Sequence, residues 1–122
     1  MSENFKFHDV EIVGLFHQKE EINLLMHLKF SNEQKFIITF SSVVVWDLSP
    51  FEEQNVIFDI HEFNKENLLE WIKNDFQVPK EYIELINSGE KNLFYIEPSI
   101  GLGGYVVANK MLSKQSIKNL VI

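Results

Sequence analysis

Few side chains in this 122-residue chain stand where they could do chemistry together. The first candidates are His8, Asp9 and Glu11, in the run HDVE. A metal site or an acid–base pair needs its donors to converge on one point. In an extended segment Asp9 and Glu11 share a face and His8 points away, because successive strand side chains alternate. His17 or His27 could add a donor, yet no HxH or HExxH spacing supports a site. His61 and Glu62 likewise face opposite ways. Cysteine is absent, which removes thiolate ligands, disulfides and a thiol nucleophile. No GxSxG elbow presents a serine. The remaining motif is glycine-rich: Gly101, Gly103 and Gly104. A dinucleotide fingerprint runs strand, GxGxxG, helix, and a Walker loop ends in GK[ST]. Here YVVAN follows and reads as a strand, so the glycines are expected to supply positive φ in a hairpin connection. These residues predict no catalysis and no metal or cofactor.

Trp71 points to a different kind of chemistry. Glu70 and Asp75 flank it, with Glu62 and Glu66 close by in sequence. Tryptophan is enriched in interface hot spots, and a ring among acids suits a basic protein partner. Glu62, Glu66, Glu70, Trp71 and Asp75 are therefore the expected partner-binding residues. The competing expectation for Trp71 is a ring packed at the rim of a helix–sheet interface.

The charge supports a protein partner over a nucleic acid. The net charge is -7, and all eleven basic residues are lysine. Arginine is the usual residue for bidentate contacts to phosphate and guanine, so an acidic chain without it is a poor nucleic-acid binder. Residues 47–97 hold twelve acids against four lysines, whereas residues 98–122 hold three lysines and no acid. Such asymmetry can steer a basic partner to one face. No apolar run nears the roughly 20 residues of a membrane span, and MSENFKFHD lacks the pattern of a secretion signal. The expected location is the cytoplasm.

The elements that must position these residues follow from periodicity. Phe5 to His17 predicts a first strand with Val10, Ile12 and Phe16 inward. Ile22 to Phe30 alternates cleanly and predicts a second. Lys35 to Leu48 (KFIITFSSVVVWDL) predicts the central strand, with Phe36, Ile38, Phe40, Val44, Trp46 and Leu48 on the core face. Ser41-Ser42 marks a bulge or a bend between two shorter strands. Asn55 to Phe63 predicts a fourth strand, with Val56, Phe58 and Ile60 on one face. A helix then runs from an Asn64 N-cap to Phe76, with Leu68, Leu69, Ile72 and Phe76 in its apolar arc. Val78-Pro79 separates it from a second helix, which buries Tyr82, Ile83 and Ile86 and stops at Gly89. Strands at Leu93–Glu97 and Tyr105–Met111 follow, joined by PSIGLGG, and SKQSIKNLVI could add a last short one. The expected fold, over residues 1–122 as one domain, is α+β. It is a mainly antiparallel sheet of about five to seven strands, with two helices inserted after the fourth and packed on one face.

Three pieces carry a family resemblance: FHDVEI at Phe7–Ile12, PFEEQNVIFDI at Pro50–Ile60 and YIEPSIGLGGYVV at Tyr95–Val107. Together they resemble small bacterial immunity proteins of polymorphic or contact-dependent toxin systems. The resemblance implies a cytoplasmic α+β protein that binds a toxin domain and blocks it without catalysis. It carries over no contact residue. The alternative expectation is a small-molecule or peptide-binding domain with its site near the GLGG loop.

Overall fold

The computed structural model describes residues 8–115. In chain order it contains β1 (Val10–Gln18), β2 (Asn23–Lys29), β3 (Lys35–Ser41), β4 (Val45–Ser49), β5 (Val56–Phe63), α1 (Glu70–Phe76), α2 (Lys80–Asn87), β6 (Asn92–Ile100), β7 (Gly103–Ala108) and β8 (Lys110–Gln115). The fold is α+β with one antiparallel sheet, as the periodicity implies. The sheet has eight strands rather than five to seven, in the order β4-β7-β6-β5-β1-β2-β3-β8. The helices follow the fifth strand, not the fourth.

Both differences have one cause. The stretch 35–48 breaks at Ser42, whose φ is 48°, into β3 and β4. The stretch 103–115 breaks at Asn109 into β7 and β8. The two bent stretches pair with each other throughout, β3 with β8 and β4 with β7. Bending carries the pairings round a closed circuit, β1–β2–β3/β4–β7/β8–β6–β5, which the short β5–β1 pairing completes at Val10–Ile57 and Glu11–Val56. The result is a barrel-like sheet with an inside and an outside.

The inside is the main core. Leu24, Met26 and Leu28 of β2 are fully buried there with Ile38 and Phe40 of β3, as the alternation requires. The rings of Phe40 and Phe94 meet at 5.5 Å between centroids. Elsewhere irregularities change the expected faces. At Ser42 the phase slips, so Val43 enters the core while Val44 is exposed; Leu48 packs on the core as expected, and Trp46, paired with Val106, is left 36% exposed. A register shift between Ile12 and Gly14 turns Leu15 toward the core and leaves Phe16 exposed. Shifts in β5 bury Ile57 in place of Phe58. Ile22 lies at φ 59° in the β1–β2 turn and is exposed rather than inside.

A second cluster lies outside β6 and β7, under the helices. Ile72, Val78 and Ile86 are buried against Leu93, Tyr105 and Val107, with Phe76, Tyr82 and Ile83 packed around them. Both faces of β6 and β7 are thus covered. α1 starts at Glu70 instead of Asn64. The Asn64 Oδ1 accepts from the Glu66 N–H at 2.9 Å, and the Asn67 Oδ1 accepts from the Asn64 N–H at 2.6 Å. This side-chain competition for backbone donors favours a turn over a helical start. Leu69 is therefore an exposed N-cap and not part of the apolar arc. α2 ends as expected: Gly89, at φ 89°, donates to the Ile86 carbonyl and Glu90 donates to that of Leu85, a Schellman closure.

Candidate functional site

The β5-β6-β7-β4 register lines up His61, Tyr95, Tyr105 and Asp47 in one row on the outer face. The next row begins with Asp59 opposite Glu97. These side chains point outward because their neighbours Phe94, Ile96 and Val106 fill the core. α1 crosses the aromatic row. Trp71 sets its ring edge against Tyr95 at 5.7 Å, and Phe76 contacts both Tyr95 and Tyr105 at 5.3 and 5.6 Å. His61 stacks on Tyr95 at 5.4 Å with planes 20° apart. On its other side, the His61 Nε2 lies 2.8 Å from the Glu97 Oε1. Trp71 keeps 44% of its surface exposed. It is both packed at the helix–sheet rim and open to a partner.

The electrostatics of the row act on its two phenols. Burial raises the pKa of Tyr95, and the Glu97 carboxylate raises it further. Burial also raises Tyr105, helped by Asp47 and Tyr82. A carboxylate beside a phenol opposes the phenolate, so both hydroxyls stay protonated at neutral pH. They can donate hydrogen bonds but make poor bases. Among the described residues the hydrogen-bond partner of the His61 ring is the Glu97 carboxylate. An aromatic surface beside Asp47, Asp59 and Glu97 suits a cationic side chain, which gains from both ring face and carboxylate.

The residues expected to bind a partner are only partly assembled. Trp71 and Asp75 are a helical turn apart on α1, which places them on one face. Glu70 is exposed but compensated by the Lys73 Nζ at 2.6 Å. Glu66 is exposed in the turn before α1. Glu62 lies at the far end of β5, where its Oε2 accepts from Asn92 at 3.3 Å. The acids beside the aromatic row are instead Asp47, Asp59 and Glu97. Sequence reasoning passed over them because each is separated from Trp71 by a strand pairing. The one local signal was the i, i+2 spacing of Asp59 with His61 and of Tyr95 with Glu97.

The other motifs are structural. His8 and Asp9 sit in a turn, since Asp9 has φ 64°, and their side chains approach to 3.4 Å instead of diverging. Among the described residues no group of three or more His, Asp or Glu could hold a metal ion. Gly101 and Leu102 connect β6 and β7, and the strands run further into PSIGLGG than expected, through Ile100 and from Gly103. A Cβ on Gly101 would lie 2.4 Å from the Asn55 Oδ1, and one on Gly104 would lie 1.9 Å from the Asp47 carbonyl. The two glycines therefore allow close approach of β7 and its connection to Asn55 and Asp47. Asn55 is buried and ties the connections together: its Oδ1 accepts from Glu52 N and Leu102 N, and its Nδ2 donates to the Glu52 carbonyl. No helix is long and apolar enough to cross a membrane among the described residues. No family model, curated protein or solved structure matches the chain.

Proposed function

We propose that this α+β domain is a non-enzymatic, cytoplasmic binding protein that neutralises a basic toxin domain, as an immunity protein would. The supporting observation is the exposed Trp71 ring, seated on Tyr95, on which His61 of the His61–Glu97 pair also stacks. Trp71 is the apolar anchor; Glu97, Asp59 and Asp47 receive lysine or arginine side chains of the partner, with Asp75 and Glu66 at the rim. Charge of this kind acts mainly on the association rate, and a buried anchor acts on dissociation.

The test is to identify the partner by pull-down from the native host, express it with and without the present chain, and measure binding kinetics on the purified pair. Co-expression should restore growth. Association should slow as salt rises, because exposed charges are screened beyond about 8–10 Å at physiological ionic strength. Trp71→Ala should raise the dissociation rate, whereas Glu66→Lys with Glu70→Lys should slow association. Loss of growth despite co-expression, or binding indifferent to Trp71 and Glu97 substitutions, would overturn the proposal.

A further inference from the structure

The outer face of β1, β2, β3 and β8 carries no helix among the described residues. Register aligns Phe16, Leu25, Thr39 and Leu112 in one row across these four strands. The row points outward, since Met26, Ile38, Phe40 and Met111 on the alternate positions pack into the core. Phe16 is 57% exposed and Leu112 56%. Lys110 and Lys114 stand on either side of Leu112 on the same face, and Lys35 lies exposed further along β3. In a chain of net charge -7, this apolar row bracketed by lysines runs opposite to the rest of the molecule. β8 also ends the strand order, so its outer edge pairs with no described strand.

We propose that this face is a second docking surface, and that its occupant is an acidic, apolar-centred segment of a protein partner laid in extended form along β8. Charge complementarity selects that occupant. Cross-strand pairing would set an acid opposite Lys110, an apolar residue opposite Leu112 and an acid opposite Lys114, an acid-x-apolar-x-acid pattern. A second copy docked face to face would bring lysines against lysines, which directly opposed like charges disfavour. An anionic lipid surface would also meet Glu20 and Glu21 in the β1–β2 turn and Glu33 in the β2–β3 turn, all exposed. The surface is separate from the Trp71 site and does not depend on the function proposed for it.

The probe is a fluorescein-labelled heptapeptide alternating threonine with Glu, Val and Glu, titrated against the full chain by anisotropy. Its control carries lysine in place of glutamate. The acidic peptide should bind saturably, roughly tenfold or more tighter than the control. Lys110→Glu with Lys114→Glu should invert that preference, and amide resonances of β8 should shift on binding. If the double variant fails to fold, Leu112→Ser supplies the same test, since it should weaken the acidic peptide while leaving the melting temperature unchanged. Equal binding of both peptides, or none, would overturn the proposal. So would sedimentation of the chain with phosphatidylglycerol vesicles without peptide binding, or a concentration-dependent dimer abolished by Leu112→Ser.

Discussion

Tyr95 and Tyr105 link the aromatic row to stability through their protons. Burial raises both phenols above their ordinary value of 10.0, with Glu97 adding to the first and Asp47 and Tyr82 to the second. The folded state therefore binds protons that the unfolded chain releases earlier. This contribution is fully present below the unfolded value and is lost as pH rises through the folded one. Stability in urea should thus fall above about pH 10, and phenolate absorbance should appear later in the native protein than in the denatured one. Glu97→Gln should bring the Tyr95 transition down toward its ordinary value. In the core, Phe40→Ala should cost about 3–5 kcal/mol and Leu28→Ala about 2–5 kcal/mol, since both side chains are fully buried. Chemical denaturation measures each. Near-zero effects would contradict the register of β2 against β3.

Single turns decide how the elements meet. Gly104, at φ 138°, lets β7 pass against the Asp47 carbonyl where no Cβ fits. Gly104→Ala should accordingly destabilise by well over about 1 kcal/mol, because it combines backbone strain with a direct clash. Circular dichroism during thermal unfolding would register the loss. The β1–β2 turn offers the opposite case. Ile22 is a β-branched residue at φ 59°, a conformation that costs it about 1–2 kcal/mol, and its side chain is largely exposed. Ile22→Asn should therefore raise the melting temperature, as asparagine tolerates this region better. An unchanged or lower value would mean that the Ile22 side chain contributes packing that outweighs the strain.

For the molecule as a whole, closure of the sheet couples its two clusters. β6 and β7 carry Phe94, Ile96 and Val106 inward and Leu93, Tyr105 and Val107 outward, so neither cluster can be lost without uncovering the other. Unfolding should be two-state. Trp46 reports on the β4–β7 pairing, opposite Val106 and 4.9 Å from the His17 ring, and Trp71 on the helical side. Single-tryptophan variants retaining one or the other should give coincident urea transitions. Separate midpoints would show that the helical layer detaches on its own.

The sequence by itself determined the class of fold and most of its pieces. Local alternation in Leu24–Met26–Leu28, the end of β5 at Phe63, and the Gly89 stop each depend only on neighbours in the chain, and each has its expected place. The tertiary structure alone decided the rest. The bend at Ser42 sends one continuous apolar stretch to two places in the sheet, because a backbone turned through positive φ can change pairing partners without changing composition, and the break at Asn109 divides its partner stretch in step. The shifts near Val13 and Val56 flip Phe16 and Phe58 outward, since a single inserted residue reverses a period of two. Asp47, Asp59, His61, Tyr95 and Glu97 became neighbours only through pairings between strands far apart in sequence. The row Phe16–Leu25–Thr39–Leu112 arose in the same way, from register that no single strand encodes.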